Sequence, residues 1–424
     1  MADYRIAALK AREILDSKAR PMVEVDVWTA GGAMGRGASP CGTSVGRHEA
    51  FVLRDGGTRY GGLGVRQAVR NVIEVISPAV CGKSALDQRA IDELMIELDG
   101  TPNKSRLGAN AIYSVSIAVA RAAAQASRVP LYRYLGGPEA TLLPVPMFNM
   151  VNGGTHAAAR LEFQEFLLIP SAARTYSEAL RTGVEVFSAL GEVIGRRFGV
   201  DHLATGSSAG YAAPTGEPAE ILETLLEAAE VAGYGGKCRV GLDCAASHFY
   251  DRASGCYRFR GRNVARGEMI HFLEELTKSY SLFVIEDPLN EDDFEGHAEI
   301  TSRLNCLIVG DDLFVTNLER LKDGIGLRAA NAMVLKPNMV GTISEALDAA
   351  RYATAHGYRV VGSGRAGGSI DDPIPDIAVA VGAPLVKFGA PRTGERLGKQ
   401  NCLLRIEEEL AGSARFAGPE IFRT

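Results

Sequence analysis

The sequence predicts an α/β protein in two parts, a small α+β domain over residues 1–140 and a barrel of alternating strands and helices over residues 141–424. Three observations carry this expectation. Residues Met22 to Trp28 alternate strictly, residues 64 to 135 hold long helical patterns, and the rest repeats a rhythm of short apolar segment, polar end and helix.

In MVEVDVW, Val23, Val25 and Val27 fall on one side, and the Gly-rich AGGAMGRG after it supports a return strand. SPCGTSVGRHEA, with Gly42, Gly46 and small hydroxyl residues, reads as a loop. The Ala-rich ANAIYSVSIAVARAAAQA predicts a helix whose small residues permit close packing. Near Leu142 the composition changes, and LLPVPMFNMVNGG followed by LEFQEFLLIP predicts two successive strands joined by a glycine-containing loop.

Beyond these, the apolar segments CRVGLDC, SLFVIEDP, CLIVGDD, NAMVLKPN, YRVVGSG and PLVKFG alternate with helical patterns, which implies a central parallel sheet with outer helices. An open doubly wound sheet fits this rhythm as well. A closed barrel is favoured because polar residues recur at the ends of many successive strands, where one central pocket collects them. The glycine-rich VVGSGRAGGS follows a late strand and lacks the G-x-G-x-x-G spacing of a dinucleotide site.

With 424 residues, 46% hydrophobic and 23% charged, the chain can bury a large core. Its formal charge of -5 and the lack of any Lys/Arg run argue against nucleic-acid binding. The charge-broken N-terminus and the absence of 18 consecutive apolar residues make a cytoplasmic location the expectation, with no membrane partner. The seven cysteines are scattered and form no CxxC pair, so buried or incidental thiols are expected.

Three strand-like runs end in acid: GLDCAAS gives Asp243, VIEDP gives Glu286 and Asp287, and IVGDD gives Asp311 and Asp312. Spaced as successive strand–helix units, Asp243, Glu286 and Asp311 can converge at one barrel mouth. Such a set suits Mg²⁺, which prefers hard oxygen ligands, whereas clustered carboxylates without a cation repel each other. Taken singly, each acid also suits a helix N-cap.

Lys336, in MVLKPN, falls at another strand end. Facing the metal, its amine is expected to have a lowered pKa and to act as a base, though it could also merely balance the acids. Lys387, in LVKFG, is a second cation for a carboxylate or phosphoryl oxygen. Metal and lysine together suit removal of a proton beside a carboxylate, because the cation stabilises the charge that develops.

Longer motifs run through the whole chain: AREILDSKARPMVEVDV, RYGG, IELDGTPNKSRLGANAI, PLYRYLGG, NGGTH, QEFLLIP, GLDCAAS, IEDPLNEDD, VGDDLFVTN, KPNMVGT and NCLLRIEEEL. On these the chain resembles the enolase family. The resemblance implies an N-terminal α+β capping domain, a modified (β/α)8 TIM barrel, Mg²⁺, a small anionic glycerate-derived substrate and a homodimer. It implies that Asp243, Glu286 and Asp311 hold the metal, that Lys336 removes the C2 proton, and that Lys387 binds the substrate carboxylate. Arg365 would hold a phosphoryl group, and Ser44 would complete a second Mg²⁺ site and contact substrate. His156 and Glu165 would act as catalytic residues around the leaving group, and Gln164 would contact substrate.

Departures from the family pattern gather on one side. GSSAGY stands where enolases carry GDEGG, so Ser208 occupies the place of the glutamate that protonates the departing hydroxyl, and Ser207 replaces the acid before it. Gly364 replaces the histidine of SHRSGE, Gly368 and Ile370 replace acids of GETED, and Lys18-Ala19-Arg20-Pro21 replaces RGNP. The base and metal set survive while the leaving-group side is stripped, with Ser207, Ser208 and Gly364 expected to release volume. The expectation is a carbon–oxygen lyase expelling phosphate, similar to the enolase-like enzymes of phosphonate and phosphinate antibiotic pathways proposed to form carboxyphosphonoenolpyruvate. A phosphopyruvate hydratase and a noncatalytic protein on the same scaffold are the alternatives.

Overall fold

The computed structural model describes residues 3–42, 45–157, 161–199 and 203–422. Ser44, expected both as a metal ligand and in substrate binding, lies outside the described residues.

The chain opens with an antiparallel sheet of β1 (Ile6–Leu15), β2 (Pro21–Thr29) and β3 (Met34–Ala38). Val23, Val25 and Val27 are fully buried and join one core cluster with residues of α1 (Gln88–Asp99) and α2 (Ala109–Ser127). Strand β3 lies so close to α2 that a Cβ at Gly35 would strike the backbone of Ala118 and Ala122, and one at Gly37 the carbonyl of Ser114. Strand β1 is absent from the sequence reading. Only Ile6 of its residues is buried, so it has no alternation to detect.

The second part begins with β4, made of Val145–Pro146 and Phe148–Asn152, and β5 (Glu165–Pro170). After α3 (Tyr176–Phe198) and α4 (Pro218–Val231) come β6 (Cys238–Asp243), α5 (Arg266–Tyr280), β7 (Val284–Glu286), α6 (Phe294–Arg303) and β8 (Leu307–Gly310). Then follow α7 (Leu318–Leu327), β9 (Ala332–Leu335), α8 (Ile343–Ala355), β10 (Arg359–Ser363), α9 (Ile374–Ala380), β11 (Leu385–Lys387) and α10 (Gly394–Leu410).

Strand β4 closes the barrel. The amides of Val145, Met147 and Asn149 donate to the carbonyls of Pro384, Val386 and Gly389 beside β11, while the end of β4 pairs with β5. Val145, Met147, Leu167, Ile169, Val284, Val309, Val334 and Val361 fill the interior, so the barrel is a packed core and not a pore. Alternate residues such as Phe148, Phe166 and Leu168 face the outer helices.

One expectation needs correction. The sheet is not wholly parallel: β5 runs antiparallel to both β4 and β6. Among the described residues of 153–164 there is one short 3-10 turn and no crossover helix, and only about a dozen residues separate the strands, so the chain returns as a hairpin. Because β5 is reversed, its first residue, Glu165, sits at the rim where the parallel strands end.

The close approach of β3 to α2 is testable. Gly37→Val should cost about 1–3 kcal/mol by overpacking and lower the thermal midpoint followed by circular dichroism. An unchanged midpoint would contradict that packing.

Candidate active site

Strand register brings the acids together. Glu165 pairs with Asp243 across β5 and β6, Asp243 pairs with Glu286 across β6 and β7, and Asp311 follows the end of β8. Ser363 and Lys387 are paired at the ends of β10 and β11, and Lys336 directly follows β9. Asp243, Glu286, Glu165 and Lys387 are all buried.

Lys387 Nζ donates to Asp243 Oδ2 at 3.0 Å and Glu286 Oε1 at 2.7 Å, and lies 3.4 Å from Glu165 Oε2. Burial opposes its charge, but these carboxylates outweigh burial and hold Lys387 well above the ordinary lysine value. Burial likewise raises Glu165, yet Lys387 and His156 win and keep it below the usual carboxylate range. Glu286 goes the other way: burial, then Asp243, push it well up.

Lys336 Nζ is bonded to Asp311 Oδ2. The lowered amine pKa is expected beside a metal; beside Asp311 alone the balance runs the other way. Burial pulls Lys336 down, but Asp311 more than compensates and holds it above its ordinary value. Asp311, raised by burial, is brought below its ordinary value chiefly by Lys336 and Lys387.

Arg365 grips Glu49 with two bonds of 2.8 and 3.1 Å. Glu49 is a site-lining residue that the sequence reading missed; the one signal was its place in the same glycine-containing loop as Ser44. Gln164 Nε2 donates to Asp243 Oδ2 at 3.2 Å. His156 Nδ1 lies 3.1 Å from both Glu165 Oε1 and Ser208 Oγ, while its Nε2 has no partner. The described site residues Lys336, Lys387, Arg365, His156, Gln164, Glu165, Ser208, Asp243 and Asp311 therefore line one pocket. Glu286 joins them through Lys387.

The expected free volume at Gly364 also needs correction. A Cβ there would meet Lys399 Cε at 3.0 Å, so the Lys399 side chain fills that space. Lys399 is buried and bonded to Glu395.

Among the described residues, the acids whose oxygens lie within 4.8 Å of one another are Asp287, Asp311 and Asp312, sharing only Asp311 with the expected set. Asp287, however, spends its oxygens on backbone: it accepts from the amides of Asp311 at 3.0 Å and Asp312 at 2.7 Å, fixing the turn after β8. Among the described residues Asp311 Oδ1 is buried without a hydrogen-bond partner, and Glu286 Oε2, which has no aligned donor, lies 2.7 Å from Lys387 Nζ. Carboxylate oxygens with unused acceptor capacity fit a hard cation. In this structure the ammonium groups of Lys387 and Lys336 supply positive charge among the same acids.

Two family descriptions match the chain, "Enolase, N-terminal domain" over residues 6–135 and "Enolase, C-terminal TIM barrel domain" over residues 140–424. The enolase of Methanopyrus kandleri is 52% identical over 419 residues, covering 98% of each chain. The enolases of Pyrococcus furiosus, 49% identical over 419 residues, and Methanocaldococcus jannaschii, 48% over 415, each cover 98% of this chain and 97% of their own.

Mg²⁺ at 100 times its dissociation constant should stabilise the protein by about 2.7 kcal/mol, read as a thermal shift. Glu286→Gln and Asp311→Asn should remove most of that shift, whereas Asp287→Asn should lower the metal-free midpoint and keep it. The opposite pattern would assign the metal to the Asp287 group.

Proposed function

Since the chain belongs to the enolase family of carbon–oxygen lyases, which use Mg²⁺, we propose that its barrel mouth removes the proton beside a substrate carboxylate and releases a β-substituent needing no proton from the protein. The proposed ligands are Asp243, Glu286 and Asp311, with Ser44 for a second ion. When bound, Mg²⁺ supplies positive charge that stabilises the carboxylate as it gains electron density.

Lys336 is the proposed base, Lys387 holds the carboxylate, and Arg365 holds a phosphoryl group on C2 after exchanging its contact with Glu49. For Lys336 to accept a proton its tie to Asp311 must loosen. A cation held by Asp311 would offset the charge that keeps the Lys336 amine protonated.

The observation that carries the leaving-group reading is the wall formed by His156, Glu165 and Ser208. The side chain of Ser208 is a hydroxyl beside His156, not a carboxylic acid, and Glu165 is kept ionised by Lys387 and His156. Loss of a general acid slows a reaction by about 10²–10⁴. Hydroxide would feel that loss in full, while phosphate departs as a stable anion. The product is then an enolpyruvyl compound, with carboxyphosphonoenolpyruvate the special case in which C2 carries phosphonoformyl.

The comparisons back a second reading better: a phosphopyruvate hydratase converting 2-phosphoglycerate to phosphoenolpyruvate, supported by near-half identity to enolases over almost the full length. A noncatalytic scaffold is disfavoured by the retained Lys336 and acid set. Homodimerisation and a cytoplasmic location belong to the proposal through the family. Among the described residues no helix is long and apolar enough to cross a membrane.

Purified protein with Mg²⁺ should release phosphate from 2,3-bisphosphoglycerate and form phosphoenolpyruvate from it faster than from 2-phosphoglycerate. Turnover of 2-phosphoglycerate at about 1–10³ s⁻¹ would instead establish the hydratase. Solvent deuterium should exchange into C2, and Lys336→Ala should abolish that exchange. A Lys336-independent exchange would remove the proposed base.

A further inference from the structure

The barrel mouth adjoins a much larger cavity that shares His156, Ala366 and Arg396 with it. The mouth holds about 40 Å³ and the neighbour about 800 Å³. The larger open space therefore lies beside the mouth, past His156, and not within it.

Besides His156 and Ala366, the cavity is walled by Ser17 and Lys18 between β1 and β2, the segment holding Thr205 and Ser207, and Thr393 to Arg396 at the start of α10. Among the described lining residues the charge balance is positive. Lys18 and Arg396 face one carboxylate, Glu395, which is itself engaged by Arg396 at 2.8 Å and by Lys399. The start of α10 has no side-chain cap, so its first amides and the positive end of its dipole point to this region. At the junction stands His156, 6% exposed, with its Nε2 unpartnered.

We infer that this cavity receives the departing group of the proposed elimination, an anionic phosphoryl on the β-carbon, gripped by Lys18 and the amide end of α10. The inference rests on that reading of the reaction and names its substrate class: glycerates with anionic ester groups on both C2 and C3. The C2–H bond breaks with its proton to Lys336 Nζ, and its electron pair becomes the second C2–C3 bond. The C3–O bond breaks with its pair onto the phosphate oxygen, and a singly protonated ester leaves as the hydrogen phosphate dianion. Burial, with Arg20 and Arg396 near, brings Lys18 down to about 8. An arriving phosphoryl group favours the charged amine and offsets that burial.

The test uses Mg²⁺-loaded full-length protein carrying Lys336→Ala to block turnover, with calorimetric titration of 2-phosphoglycerate and 2,3-bisphosphoglycerate. The bisphosphate should bind at least about 10-fold tighter, the worth of one charge-assisted contact. Adding Lys18→Ala should erase most of that preference and leave 2-phosphoglycerate binding unchanged, and Lys18→Arg should restore it. A preference that survives Lys18→Ala, or equal weakening of both ligands, overturns the subsite. If the preference behaves as expected but the wild-type protein releases no phosphate, the elimination fails and the subsite stands. Phosphate release with no Lys18-dependent preference sinks the subsite alone.

Discussion

Lys387 Nζ lies within 3.4 Å of three buried carboxylates, Asp243, Glu286 and Glu165. Withdrawing each of these ions from water costs several kcal/mol, and removing one partner of such a set leaves uncompensated charge. The rest of the mouth exists on those terms. Strand register aligns Glu165, Asp243 and Glu286 side by side, so backbone hydrogen bonding, not side-chain reach, brings the like charges together. The reversed direction of β5 is part of the same arrangement. A parallel strand there would end at Pro170 and put Glu165 at the far rim.

The two lysines divide the work through their partners. Lys387 serves several carboxylates at once, and its raised pKa makes it a permanent cation suited to holding an anion. Lys336 depends mainly on Asp311, so its protonation follows the charge that Asp311 carries. In the proposed reaction a cation at the acids would therefore count twice, beside the substrate carboxylate and beside the Asp311 charge that keeps Lys336 protonated. Asp287 has a different part: by tying down the amides after β8 it fixes where Asp311 points.

Much of this was legible where local pattern and chemistry coincide. Val23, Val25 and Val27 announced β2 because the pleat alternates, and Asp243, Glu286, Asp311 and Lys336 announced the mouth because polar residues end apolar segments there. Strand β1 was not legible because almost none of it is buried. The reversal of β5 was hidden because an apolar run carries no direction. Glu49 was overlooked because its meeting with Arg365 joins residues far apart in the chain, which no periodicity encodes. The direct tie between Lys336 and Asp311 was not legible either, because it depends on how the ends of neighbouring strands meet and not on any local pattern.

The departures at Ser208 and Gly364 look alike in sequence, yet they have different physical consequences. At Gly364 the lost side chain is compensated by Lys399, which lies against the glycine and is held by Glu395, so little space is gained. At Ser208 the shorter side chain turns to His156 instead, leaving a hydroxyl where an acid would stand, and the adjoining Ser207 borders open volume. The open space therefore runs from His156 toward Lys18 and the start of α10 and not across the barrel toward Lys336. In the proposed reaction, a mouth that keeps its charge cluster and has open space beyond His156 would differ in what can depart, not in how a proton is taken.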